Sequence, residues 1–169
     1  ITHYPPIHPC TCDRWLAAPC VVNGRLRGAV RAEREGRGRI TVLLGPDGDG
    51  EARTVDLEGA GGAPGRPALC ARADGTVSLV WSEFDGDAWR LLHTSLDEDG
   101  AAPETQTIRR GGAVCCEPAV CDCDGCLLAA WSALDGDCFR VRVSRRDESG
   151  AWSEPVAVSP EGVHARRPA

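Results

Sequence analysis

Two stretches of this chain repeat one another landmark for landmark at a spacing of about 50 residues. Pro67-Ala68-Leu69-Cys70, Asp74-Gly75, Trp81-Ser82, Asp85-Gly86-Asp87, Trp89-Arg90 and Asp97-Glu98 through Gly100 form the first stretch. They recur as Pro118-Ala119-Val120-Cys121, Asp124-Gly125, Trp131-Ser132, Asp135-Gly136-Asp137, Phe139-Arg140 and Asp147-Glu148 through Gly150. A weaker copy lies upstream, with Asn23-Gly24, Glu35-Gly36 and Asp47 through Gly50 in the places of the turn residues, and Pro168-Ala169 opens the same pattern once more. A repeat of this length is one supersecondary unit that buries its apolar face against the next copy.

Within each repeat, short apolar and β-branched runs alternate with Gly and Asp turns, and no 3.6-residue period appears. The second repeat predicts strands over 68–73, 76–82, 88–94 and roughly 104–108. Asp74-Gly75 and Asp85-Gly86 suit tight hairpins, because Gly and Asp tolerate positive φ. Val77, Leu79 and Trp81 share one strand face, matched by Leu127, Ala129 and Trp131, while Val80, Leu128 and Ala130 make the opposite face apolar as well. A sheet that is apolar on both faces needs a neighbour on each. The fold class expected is all-β and β-propeller-type, with about three four-stranded antiparallel blades. A β-sandwich shares the short strands but does not require the period. Residues 1–15 form a nonrepetitive segment, and the blades fall at about 16–66, 67–116 and 117–167.

With 169 residues, 42% hydrophobic and 26% charged, the chain has the composition of one folded domain rather than a disordered or fibrous one. A net charge of −6 argues against nucleic acid or an anionic membrane as partner. No apolar run is long enough to cross a bilayer, and Ile1 to Arg14 shows no apolar core of the signal-peptide kind. Three blades do not close a ring, since propellers have four to eight. The expectation is a partial propeller completed by further blades on a longer chain, or half of a six-bladed homodimer.

The run from Pro118 through Asp124-Gly125, Trp131-Ser132, Asp135-Gly136, Arg140-Val141-Arg142-Val143-Ser144, Asp147 and Gly150-Ala151-Trp152 to Pro155 resembles a blade of the sialidase-like, Asp-box-containing (BNR) propellers. The likeness extends over about 150 residues at the level of blade pattern. That family's box reads roughly Ser/Thr-x-Asp-x-Gly-x-x-Trp on the hairpin between third and fourth strands. Here Ser95, Asp97 and Gly100 form one degenerate copy, and Ser144, Asp147, Gly150 and Trp152 another. The resemblance implies structural turns at Asp97, Gly100, Asp147 and Gly150, and it favours an extracytoplasmic setting. It also implies a carbohydrate ligand or a place in a sialidase-like glycoside hydrolase. Sialidases use an arginine triad, a Tyr/Glu pair and an Asp acid. Tyr4 is the one tyrosine, and no Phe/Tyr-Arg-Ile-Pro motif is present, so the catalytic set of that family is not visible.

Several groups are candidates for chemistry. Arg90, Arg140 and Arg142 on third strands form one candidate ligand-binding cluster, against which stands the reading of solvated strand charges. Asp85, Asp87, Asp135 and Asp137 would suit a calcium ion or an acid and base pair, but their recurrence favours turn chemistry. Ten cysteines are many for 169 residues. Cys121, Cys123 and Cys126, with Cys115 and Cys116 nearby, are the candidate zinc ligands, Cys123 and Cys126 forming a Cys-x-x-Cys pair on a hairpin turn. The cluster equally allows a disulfide. Cys70 and Cys121 occupy equivalent strand positions, which predicts small buried residues there. His93 reads as a packing residue, His164 has no recognisable partner, and Trp81 and Trp131 read as core; Cys138 takes the place of Ala88.

The leading expectation is a noncatalytic propeller module that binds a ligand or partner protein or acts as a scaffold, without a cofactor; the candidate partners are a carbohydrate or protein ligand. The alternatives are part of a sialidase-like glycoside hydrolase or carbohydrate-binding propeller, and a metal- or redox-responsive protein built on the Cys115 to Cys126 cluster.

Overall fold

In the computed structural model, residues 20–22, 25–34, 37–45, 53–57, 62–102 and 104–168 are described. The nonrepetitive segment 1–15, with Tyr4, Cys10 and Cys12, lies outside them, as do the first-repeat landmarks Asn23-Gly24, Glu35-Gly36 and Asp47 through Gly50. The described chain is all-β, without a helix, and forms three antiparallel sheets of four to five strands. The first holds β1 (Cys20–Val22), β2 (Arg25–Arg34), β3 (Arg37–Leu44) and β4 (Arg53–Leu57) in that order. The second holds β5 (Ala63–Pro64), β6 (Ala68–Ala71), β7 (Val77–Phe84), β8 (Trp89–Leu96) and β9 (Gln106–Gly111). The third holds β10 (Cys115–Cys123), β11 (Cys126–Asp135), β12 (Cys138–Arg146) and β13 (Val156–Ala157). The strands predicted for the second repeat are thus present, each displaced by up to a few residues at its ends.

Both β5 and β6 pair with β7, so they are two halves of one edge strand, the inner strand of a propeller-type blade, broken at Gly65–Pro67 where the ladder stops. The third sheet carries a register shift at the equivalent place, between Cys116 and Ala119. Pro67 and Pro118 explain both interruptions, because proline has no N–H to give the ladder and restricts the residue before it.

Each repeat buries its apolar faces against the next. Ala29, Ile40, Val42 and Leu44 of the first sheet meet Val77, Leu79, Trp81, Leu92 and Leu96 of the second. On the other face of the second sheet, Val80, Leu91 and Ile108 meet Cys115, Ala129, Trp131 and Ala133 of the third. Among the described residues no sheet lies over the face of the third sheet that carries Leu128, Ala130, Val141 and Val143, and those side chains are half-buried. Their counterparts in the second sheet, Val80, Leu91 and His93, are buried.

The Asp97 and Asp147 turns share one hydrogen-bond pattern. The Asp97 carboxylate accepts the N–H of Asp99 (3.0 Å) and of Ala101 (2.8 Å), while Gly100 N–H donates to the Asp97 carbonyl (3.1 Å). At Asp147 the carboxylate accepts Ala151 N–H (3.0 Å) and the Ser149 hydroxyl (2.6 Å), and Gly150 N–H donates to the Asp147 carbonyl (3.0 Å). Gly100 has a φ of 82°, and a Cβ there would stand 2.6 Å from Leu44 Cδ1 of the first sheet. Arg27 of that sheet donates to the Glu98 carbonyl (2.9 Å), so this turn is clamped to the neighbouring repeat. Gly100→Ala is therefore expected to lower stability by about 1–3 kcal/mol through backbone strain and overpacking, read as an earlier urea midpoint.

Candidate functional site

The two broken inner strands and the end of the chain converge. Arg66-Pro67, Glu117-Pro118 and Arg167-Pro168 are equivalent residues of successive repeats, and all six line one cavity of about 990 Å³. Glu117 (φ 52°) and Arg167 (φ 59°) both adopt left-handed backbone, which a side chain larger than glycine visits at a cost. Each stands immediately before its proline, where the helical alternative is sterically disfavoured. Glu117 falls at the register shift of β10 and Arg167 in the segment after β13, and both line the cavity.

The serine of each Trp-Ser pair holds the break in place. Gly65 N–H donates to the Ser82 carbonyl at 2.7 Å, and a Cβ on Gly65 would meet Ser82 Oγ at 2.5 Å, so only glycine fits. One repeat later Ser132 Oγ donates to Glu117 Oε2 (3.1 Å) and accepts the N–H of Arg167 (3.1 Å). Arg166 grips both Glu117 oxygens, Nε to Oε2 at 3.2 Å and Nη2 to Oε1 at 3.0 Å, and Arg167 Nε adds a contact of 3.4 Å to Oε1. Burial pushes the Glu117 carboxyl pKa up. The Ser132 hydroxyl and the Arg166 guanidinium outweigh that and hold it below the usual range, so the group is a carboxylate at neutral pH.

The walls are apolar. Trp89 and Phe139, equivalent residues of β8 and β12, both line the cavity with Leu69, Val114 and Val120. The Arg166 guanidinium sits 4.5 Å over the Phe139 ring. Glu117 is the one carboxylate among the described lining residues. Such a site combines two aromatic residues, Phe139 lying under the Arg166 guanidinium, with charged groups, which suits a polar ligand with an apolar face.

The residues singled out in the sequence lie elsewhere. Arg90 pairs with Glu83 (3.2 Å) and Asp85 (3.3 Å); Arg140 (3.5 Å) and Arg142 (3.1 Å) both pair with Asp135. None of the three arginines lines the cavity. Asp85 is spent on its turn, accepting the N–H groups of Asp87 (3.0 Å) and Ala88 (2.8 Å), and those two bonds, Ala88 first, bring its carboxyl down to about 2. Cys121, Cys123 and Cys126 fall on one face of the third sheet, yet among the described residues no three His, Cys, Asp or Glu side chains converge as a metal site. Cys121 is exposed rather than buried, which corrects the expectation drawn from its equivalence to Cys70. Cys70 is itself only half-buried, against the third sheet, where its sulfur accepts Asp122 N–H at 3.1 Å, and among the described residues no sheet covers Cys121. His164 does have a partner, accepting Phe139 N–H at Nδ1 (3.3 Å).

Arg66, Glu117, Arg166 and Arg167 were not among the sequence candidates. Their signal was present in the repeated Xaa-Pro-Ala, where a proline in mid-strand forces a break. Glu83 was missed as well, fully buried and directly opposite Arg90 in the β7–β8 register. It also accepts Gly62 N–H (2.8 Å) and the Trp81 indole N–H (3.4 Å).

No family profile matches this sequence, and no curated protein matches it. Among solved structures, an endo-arabinase from Bacteroides thetaiotaomicron is similar, with a TM-score of 0.62 at 14% identity over 84% of this chain. The chain spans 61% of the length of that structure. At this identity the likeness is one of fold, consistent with a propeller-like arrangement of the three sheets.

Proposed function

We propose that the chain is a noncatalytic propeller-type module that binds a saccharide in the cavity between the inner-strand breaks. The observation that carries this reading is the convergence of Glu117, Arg166 and Arg167 with the aromatic walls Trp89 and Phe139 on one cavity. Aromatic faces stack on the apolar face of a sugar ring, and the charged rim takes its hydroxyls. The degenerate turns at Asp97 and Asp147 support kinship with the sialidase-like propellers at the level of the blade.

The second reading is a glycoside hydrolase, favoured by the fold likeness to an endo-arabinase. Glycoside hydrolysis ordinarily needs two carboxyl groups across the scissile bond, one of them protonated. Glu117 is held ionised and has no carboxylate partner among the described lining residues. The test is a calorimetric titration with linear arabino-oligosaccharides, sialyllactose and cello-oligosaccharides, with product analysis of each mixture. Binding without cleavage is expected, and Trp89→Ala should weaken it about tenfold, the equivalent of about 1.4 kcal/mol. Release of shorter sugars, abolished by Glu117→Gln, would replace the module with an enzyme.

A further inference from the structure

We propose that Cys123 and Cys126 form a reversible thiol–disulfide exchange site for a low-molecular-weight disulfide such as oxidised glutathione. The site is independent of the cavity and stands on the hairpin between β10 and β11. The two residues face each other directly in the antiparallel register, across the two-residue turn Asp124-Gly125. Both turn residues have positive φ, 49° and 82°, the geometry of the tightest hairpin connection. Opposed residues of an antiparallel pair have Cα atoms about 4.5–5.5 Å apart, inside the range of about 4.4–6.8 Å that a disulfide spans.

The two thiols differ in the way that exchange requires. Cys123 is exposed and open to an incoming disulfide, while Cys126 is buried beneath it. Arg145 Nη2 donates to Cys126 Sγ at 2.8 Å, so that sulfur is held in place beside Cys123 while Cys123 stays free to react. In the first step the Cys123 thiolate attacks one sulfur of oxidised glutathione. The glutathione S–S bond breaks, a mixed disulfide forms, and one glutathione thiolate leaves and takes up the proton that Cys123 lost. Cys126 then attacks the Cys123 sulfur and expels the second glutathione in the same way. The balance is two protein thiols and one glutathione disulfide giving one protein disulfide and two glutathione thiols. The protein is oxidised and glutathione reduced.

The full chain is incubated with oxidised glutathione, quenched in acid, alkylated and cleaved on the amino side of aspartate. Cuts before Asp122, Asp124 and Asp135 place Cys123 and Cys126 on separate peptides, both apart from the 99–121 peptide that carries Cys115, Cys116 and Cys121, so a Cys123–Cys126 linkage is read directly. The expected product joins the Cys123 and Cys126 peptides, unalkylated, and is reversed by dithiothreitol. Cys126→Ser should stall with glutathione on Cys123. Cys123→Ser alters only an exposed side chain, and it should leave Cys126 free of glutathione. Full alkylation of both cysteines in the oxidised sample, a linkage to the 99–121 peptide instead, or glutathione on Cys126 of Cys123→Ser would each overturn the assignment.

Discussion

Replacing Trp81 by alanine is expected to cost about 3–5 kcal/mol of unfolding free energy, enough to consume a large part of the stability of a domain this size. Trp81 is fully buried where the second sheet packs on the first, and Trp131 takes the equivalent place where the third packs on the second. Trp131→Ala should therefore cost a similar amount. The phenylalanine variants should separate them. Trp81 donates its indole N–H to the buried Glu83, whereas Ala133 stands at the Glu83 position one repeat later and the Trp131 indole nitrogen has no acceptor. Trp81→Phe strands a buried acceptor, and Trp131→Phe removes a buried donor that was already unpaired. Urea unfolding of the four variants checks this, with Trp131→Phe predicted to be the mildest. Equal losses for the two phenylalanine variants would show that the Glu83 contact contributes nothing.

Acidification from pH 6.5 to 4 is expected to remove roughly 3 kcal/mol of stability through His93 alone, at about 1.4 kcal/mol per unit of pKa difference. His93 is 1% exposed and packs edge-on against Trp152. Burial first, and the Arg146 charge second, lower its pKa from 6.5 to about 4, with Gln106 opposing weakly. Above pH 6.5 the imidazole is neutral in both folded and unfolded chains and stability does not respond to it. As pH falls from 6.5 to 4 the unfolded chain binds a proton that the folded chain refuses, so the fold weakens until the folded pKa is reached. Asp85 acts lower, between its ordinary 3.8 and about 2, so the two windows are distinct. Val143 occupies the His93 position in the third sheet, and His93→Val should flatten the upper window while leaving the lower one. A slope between pH 6.5 and 4 that survives in His93→Val would assign it to another group.

The strands of the second and third repeats, the glycine turns and the two-faced burial of the second sheet were all legible from spacing and alternation. Val77, Leu79 and Trp81 alternate with Val80, and the structure sends the two sets to different neighbours. Chemistry was harder to read, because it depends on which charges meet across strands. Arg90, Arg140 and Arg142 resemble a cluster along the chain, but the register sets each beside a carboxylate of its own hairpin. The Cys70 and Cys121 equivalence misled for a different reason: equal sequence positions have equal burial only where both repeats have a following sheet. Glu117 escaped notice because Pro118 was read as a repeat marker. The break itself follows from proline stereochemistry, whereas the left-handed backbone at Glu117 is not what a following proline favours and was not legible.

The cavity is the centre of the account, and the tryptophan indole N–H signals of a nitrogen-labelled sample test it most directly. Trp89 lines the cavity, whereas Trp81 and Trp131 are sealed between sheets. Titration with the saccharide panel is predicted to move the Trp89 indole signal in a saturable way and to leave Trp81 and Trp131 in place. A panel that shifts no indole, or shifts only the two buried ones, would contradict a ligand site at the inner-strand breaks.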